Sequence, residues 1–154
     1  MLVILDLDDT LIAGHINPRR PYDEITPLPK VKERLEAAKA EGHTLCIATN
    51  QRGAAFGYHT IKQAQAKLDQ VMAMFDIAYA AVCYSDVRSR NPKYNDPTDA
   101  ARAKPSGAML RECIKMFPEA AKQGVIYVGD RPEDEAAAKD AGGLAFIPAN
   151  EFFT

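Results

Sequence analysis

Apolar residues along this chain follow two alternating rhythms. Five short runs, Leu2–Leu5, Thr44–Ala48, Ala78–Cys83, Val125–Val128 and Leu144–Ile147, are bounded by polar or turn-forming residues. Short continuous apolar runs of this kind predict strands buried on both faces. Between them the apolar positions recur at helical spacing. Val31, Leu35 and Ala38 form one set, with Gly42 as its stop, and Ile61, Ala64, Leu68, Val71, Met72 and Phe75 form a longer one. Met109, Leu110, Cys113, Ile114 and Phe117 form a third, ended by Pro118, and a fourth opens at Pro132 and runs to about Gly142–Gly143. Strand and helix alternate throughout, which predicts an α/β, doubly wound three-layer sandwich around a central parallel sheet of about five strands. At 154 residues the chain is expected to form a single domain spanning positions 1–154.

The polar residues that carry chemistry fall where the apolar runs stop. Asp6-Leu7-Asp8-Asp9-Thr10 follows the first run, Thr49-Asn50-Gln51 the second, and Gly129-Asp130-Arg131-Pro132-Glu133-Asp134 the fourth, while Lys104-Pro105-Ser106-Gly107 opens the third helical pattern. Ligands of open α/β sheets bind beyond the carboxyl ends of the strands, so these segments can converge. Asp6 and Asp8 are two apart and are expected to share a face or fan out together where the strand ends. Carboxylates held that close repel and call for a proton or a cation between them, and a hard ion such as Mg2+ suits oxygen ligands and a phosphate. Asp9 reads as a turn or helix-start residue, Thr10 as a cap or loop brace, and Pro105 suits the start of a helix.

Two long connections, 11–28 and 84–103, stand out. Loops this long are uncommon in a compact domain unless they cover a site or are disordered. Neither is long enough for a separate cap domain, so an open or shallowly covered site with no large cap is expected. Composition adds exclusions. The net charge of −2 demands neither nucleic acid nor an anionic membrane, no stretch approaches a membrane span, and the start of the chain lacks a signal-peptide pattern. The odd set Cys46, Cys83 and Cys113 lies in apolar surroundings and reads as reduced thiols of a cytoplasmic protein.

The Asp pair, the Thr, the Lys and the second acidic pair, in this order and spacing, resemble the haloacid dehalogenase (HAD) superfamily of phosphohydrolases, whose fold is Rossmann-like. The resemblance implies a Mg2+-dependent phosphatase acting on a phosphomonoester. Asp6 would be the nucleophile that forms an aspartyl-phosphate, and Asp8 the general acid and base, with its main-chain carbonyl also reaching the metal. Thr49 would hydrogen-bond the transferring phosphoryl group, assisted by Asn50 and Arg52, and Lys104 would neutralise nucleophile and phosphate. Asp130 would join Asp6 and Asp8 at the metal, with Asp134 as a further acidic position whose place in a first helical turn has its own structural rationale. Glu133 and Glu135 read as solvated charges.

Ala48-Thr49-Asn50-Gln51-Arg52-Gly53 and Lys104-Pro105-Ser106-Gly107-Ala108-Met109 resemble one branch of that superfamily. It contains histidinol-phosphate phosphatases, heptose-bisphosphate phosphatases and polynucleotide 3′-phosphatases, all with small caps or none. The first two usually carry a zinc loop with cysteines just before the Lys-Pro; here Ala101, Arg102 and Ala103 stand there, so no zinc site is expected. Phe56 also replaces a basic residue common in the heptose enzymes. Pro21-Tyr22-Asp23 resembles a stretch of phage-type polynucleotide kinase/phosphatases, and residues 11–34 and 84–104 each hold five basic against three acidic residues, net +2. Such loops could guide a phosphate backbone. The substrate is therefore left as a phosphorylated small molecule (sugar phosphate or bisphosphate) or a polynucleotide 3′ end. No kinase phosphate-binding loop occurs in the chain. A receiver-like signalling domain would carry its phosphorylated Asp after the third strand, where Cys83-Tyr84-Ser85-Asp86 is a poor match; a non-catalytic binding member would have no need of Asp6, Asp8, Lys104 and Asp130 together. The oligomeric state stays open, since the loops or a partner protomer could supply specificity.

Overall fold

The computed structural model describes residues 1–14 and 21–154, so Pro18, Arg19 and Arg20 of the first long connection lie outside the described residues. Five strands form one wholly parallel sheet: β1 (Leu2–Leu5), β2 (Thr44–Asn50), β3 (Tyr79–Cys83), β4 (Val125–Gly129) and β5 (Ala145–Pro148), in the spatial order β3-β2-β1-β4-β5. The central strand β1 is buried along its whole length, as the unbroken Leu-Val-Ile-Leu run requires, whereas the edge strand β5 is mostly half-exposed. The helices are α1 (Val31–Ala40), α2 (Ile61–Phe75), α3 (Pro97–Ala100), α4 (Ala108–Met116), α5 (Pro118–Lys122), α6 (Pro132–Asp140) and α7 (Ala149–Phe152), with a 3₁₀ turn over Arg52–Phe56.

Alternate side chains of each inner strand face opposite layers, and two cores result. Val3, Leu5, Leu45 and Ile47 pack with Val31 and Leu35 of α1, Leu68, Val71 and Phe75 of α2, and Phe152 of α7. Leu2, Ile4, Cys46 and Ala48 pack on the other side with Met109, Leu110 and Cys113 of α4 and Ala137 and Ala138 of α6. This is the expected doubly wound sandwich. All three cysteines are buried and reduced. Among the described residues no helix is long and apolar enough to cross a membrane.

Several boundaries differ from the pattern-based expectation, each for a local reason. β2 runs two residues further than Ala48 and takes in Thr49 and Asn50, because both continue the ladder to β3 opposite Val82 and Cys83. The third helix stops at Met116, and Pro118 opens α5 instead of merely ending a helix, since proline is well placed in a first turn. Pro105 does not start α4, which begins at Ala108. α2 is started by a capping box: Thr60 Oγ1 accepts from the Gln63 amide at 3.0 Å while Gln63 Oε1 accepts from the Thr60 amide at 2.8 Å.

The strand order reverses between β1 and β4, and the crevice beyond their carboxyl ends is the place where this topology receives ligands. Past Leu5 the ladder continues for one step, Asp6 N donating to Val128 O at 2.9 Å, after which the amides of Thr10, Leu11 and Ile12 all turn back onto Leu7 O. The chain re-enters antiparallel at Ile12 and Pro27, with Ala13 N bonded to Thr26 O and Leu28 N to Leu11 O, so both ends of the 11–28 connection are pinned. The 84–103 connection is well tied down. Asp99 accepts from the amides of Tyr84 and Ser85, Arg102 joins Asp99 to Glu112, and Ser89 Oγ donates to Ala55 O at 2.5 Å. Leu35 is 1% exposed in the first core, so Leu35→Ala is expected to cost about 2–5 kcal/mol in urea unfolding, and a loss under about 1 kcal/mol would contradict that packing.

Candidate active site

Lys104 is a lysine buried at the sheet's carboxyl edge, 4% exposed. Its Nζ donates to Asp6 Oδ1 and to Asp134 Oδ1, each at 2.7 Å, and lies 3.2 Å from Ala48 O and 2.8 Å from the Tyr127 hydroxyl. The Tyr127 hydroxyl donates in turn to Asp134 Oδ1 at 2.9 Å. Burial alone would lower the Lys104 pKa, but the facing Asp6 and Asp134 carboxylates outweigh it and hold the value above the usual lysine range. The ammonium is therefore a fixed positive charge beneath the crevice. Asn50 holds the segment that carries it: its Oδ1 accepts from the Lys104 amide at 3.0 Å and its Nδ2 donates to Lys104 O at 3.2 Å. The Lys104–Pro105 peptide is cis.

Asp6, Asp8, Thr49, Asn50, Arg52 and Lys104 line one crevice of about 210 Å3, together with Arg131 and Glu133. The structure thus brings together every catalytic and substrate-binding position singled out from the sequence. Carboxylate oxygens of Asp6, Asp130 and Asp134 all lie within 4.8 Å of one another, the sort of oxygen set that suits a hard divalent cation. The Asp8 carboxylate is not one of the three. Asp134 is already occupied by the protein. One oxygen takes Lys104 and Tyr127, and the other accepts from the amides of Asp130 and Arg131, both at 3.1 Å. It anchors the lysine and the turn after β4 more directly than it offers a lone pair. Thr10, fully buried, braces the cluster, with Oγ1 3.4 Å from both Asp6 Oδ2 and Asp130 Oδ1. Asp9 adopts a left-handed conformation in the turn and accepts from the Gly14 amide at 2.8 Å.

Burial pushes the Asp6 carboxyl up to about 7, against the pull of Lys104, with the neighbouring Asp134 charge adding to the rise. Asp8 is also raised, chiefly by burial, with the hydrogen bond from Gln51 and the charge of Lys67 opposing. Gln51 is a site residue that no motif in the sequence marks. Its Nε2 donates to Asp8 Oδ2 at 2.8 Å and to Thr49 Oγ1 at 2.9 Å, orienting both. The signal was its position two residues after Thr49 at a strand end. Tyr127 is not marked by a motif either; its signal is that a tyrosine in a buried central strand needs a partner for its hydroxyl. Gly129 is the third such residue. A Cβ there would lie 2.6 Å from the Asp134 side chain, so only glycine lets that carboxylate reach back under the turn.

A family model described as haloacid dehalogenase-like hydrolase matches residues 18–142, a stretch that includes Thr49, Lys104 and Asp130 and begins after Asp6 and Asp8. The chain is 28% identical over 141 residues to a D-glycero-beta-D-manno-heptose-1,7-bisphosphate 7-phosphatase of Pseudomonas aeruginosa, covering 90% of this chain and 75% of that one. It is 26% identical to the Pseudomonas putida enzyme of the same name, covering 92% and 78%. Among solved structures it superposes on a Mesorhizobium loti protein described as HAD-like, with TM-score 0.78, 23% identity and coverage of 98% and 83%. It also superposes on the D,D-heptose 1,7-bisphosphate phosphatase of B. bronchiseptica complexed with magnesium and phosphate, with TM-score 0.70, 24% identity and coverage of 96% and 78%.

Two outcomes test this geometry. Gly129→Ala is expected to cost about 1–3 kcal/mol in urea unfolding by forcing Asp134 away from Lys104; an unchanged midpoint would contradict the close approach. The second concerns pH. A raised Asp6 pKa means that the folded metal-free protein binds a proton more tightly than the unfolded chain, so its stability falls as pH rises from about 4 to about 7. A divalent cation competes with that proton. The gain in melting temperature on adding Mg2+ is expected to be larger at pH 8 than at pH 5, and an equal gain at both would count against Asp6 as a ligand.

Proposed function

The chain belongs to the haloacid dehalogenase-like hydrolases and is a phosphatase, and we propose that it hydrolyses organic phosphomonoesters through an aspartyl-phosphate on Asp6. The observation that carries this reading is the setting of Asp6: its carboxylate opens on the crevice beside Thr49 while Lys104 holds it from behind at 2.7 Å. One Asp6 oxygen attacks phosphorus and the bond from phosphorus to the leaving oxygen breaks. Asp8 gives its proton to that oxygen, which suits a carboxyl whose pKa is raised. Asp8 then takes a proton from the water that attacks the same phosphorus, releasing inorganic phosphate and restoring Asp6. Thr49 and Arg52 hold the phosphoryl oxygens, and Lys104 offsets the gathered negative charge. Asn50 serves by fixing Lys104, because its amide is already spent on that segment.

Mg2+ would be held by carboxylate oxygens of Asp6 and Asp130, joined by the main-chain carbonyl of Asp8 as the family resemblance implies, and would supply positive charge to the phosphoryl group. Asp134 completes the acidic cluster and acts here as the anchor of Lys104. Residues 1–154 are taken as a single catalytic domain. The Pseudomonas relatives bear the name of a sugar-bisphosphate phosphatase, which supports an organic phosphate ester as the substrate class. Asp6→Asn is expected to leave the fold intact by circular dichroism and to lower Mg2+-dependent phosphate release by at least about a thousandfold. Turnover within tenfold of the unaltered protein would sink the mechanism.

A further inference from the structure

A second and larger cleft, about 750 Å3, opens between the 3₁₀ turn after β2 and the 84–103 connection. It presents Phe56, Tyr58 and Tyr94 beside the guanidinium groups of Arg88 and Arg90. Five large hydrophobic side chains are exposed among the described residues, and three of them, Phe56 (42%), Tyr58 (80%) and Val87 (63%), belong to the two segments that make this cleft. Scattered exposure needs no explanation, but clustering around one concavity marks a binding surface. Arg88 lies over the Phe56 ring, 5.5 Å from its centroid, and Arg90 has no ion-pair partner among the described residues.

The cleft is wired to the reaction crevice through Asp86. This carboxylate is 3% exposed, and one of its oxygens accepts from Arg52, which lines the crevice, at 3.3 Å, and from Arg88, which lines the cleft, at 2.7 Å. The two guanidinium groups therefore stand side by side, one in each space. Ser89 fastens the two walls together through Ala55 O.

Resting on the phosphatase reading above, we infer that the cleft is the leaving-group subsite and that it receives a nucleotide unit, with a base stacked on Phe56 or Tyr58 and a further phosphate held by Arg90, since Arg88 already spends Nε and Nη2 on the two oxygens of Asp86. Aromatic faces paired with arginines are the chemistry by which proteins hold bases and phosphates together. A sugar bisphosphate fits less well: among the described residues no carboxylate lines the cleft, which leaves its hydroxyls only neutral acceptors such as those of Thr60, Gln63 and Asn91. The same chemistry would take a free nucleoside bisphosphate or the 3′-phosphorylated end of an oligonucleotide.

The test measures binding by calorimetry to the Asp6→Asn protein, alongside Mg2+-dependent phosphate release by the unaltered one. The probes are adenosine 3′,5′-bisphosphate, a 3′-phosphorylated oligonucleotide and fructose 1,6-bisphosphate. The nucleotide probes are expected to bind at least about tenfold tighter than the sugar bisphosphate, and Tyr58→Ala or Arg90→Ser in the same background to remove that preference. In the otherwise unaltered enzyme these changes should raise KM for the nucleotide more than they lower kcat. Tighter binding of the oligonucleotide than of the free bisphosphate would assign a nucleic-acid end, and equal binding a free nucleotide; both support the inference. Preference for fructose bisphosphate, or indifference to Tyr58 and Arg90, overturns it, while phosphate release in the same experiment keeps the phosphatase reading. Tyr58-dependent nucleotide binding without any phosphate release would leave the cleft assignment standing and strike the reaction instead.

Discussion

A single buried ammonium organises this molecule. Taking Lys104 out of water costs several kcal/mol, and the structure recovers that cost only by surrounding it with Asp6, Asp134, Tyr127 and the carbonyl of Ala48. Those partners come from the end of β1, the start of α6, β4 and β2. Removing either carboxylate leaves a buried charge short of compensation, and removing the lysine leaves two carboxylates facing each other. The arrangement also presents Asp6 to the crevice as a carboxylate already paired on one side, which is the state a nucleophile beside a phosphate needs.

The sheet order explains why these groups can meet. Because the chain builds β2 and β3 on one side of β1 and then crosses to β4 and β5 on the other, the segments after β1, β2 and β4 open into the same gap. The central strands contribute continuous apolar runs, so that two cores clamp them rigidly, and the polar residues sit one or two positions beyond the last buried apolar side chain. Gly129 is where rigidity and chemistry trade directly: the strand gives up a side chain so that Asp134 can fold back beneath it.

Much of this was legible in the sequence, because the strands are buried on both faces and therefore read as short unbroken apolar runs, and because motif residues follow each run at once. Asp6, Asp8, Thr49, Arg52 and Lys104 were marked by the order and spacing of their motifs and by the family resemblance those motifs carry, and they share one crevice. What was not legible depends on contacts between segments far apart in the chain. Gln51 looks like any polar strand-end residue until its amide is seen to bridge Asp8 and Thr49. Tyr127 looks like core until its hydroxyl meets Lys104 and Asp134. Asn50 was read as a phosphate contact, and the structure spends its amide on the Lys104 backbone. The 84–103 segment was legible only as a long polar loop. Its order comes from the Asp99–Arg102–Glu112 ties, which no local pattern announces.

The central claim is that phosphate passes through Asp6, and the most direct test is to catch it there. Treating the enzyme with borohydride while it turns over a phosphomonoester in Mg2+ would reduce an aspartyl-phosphate to homoserine, which peptide mass spectrometry can place. The account predicts homoserine at position 6, dependent on substrate. Undiminished turnover with Asp6 unmodified, or with the modification at another aspartate, would contradict it.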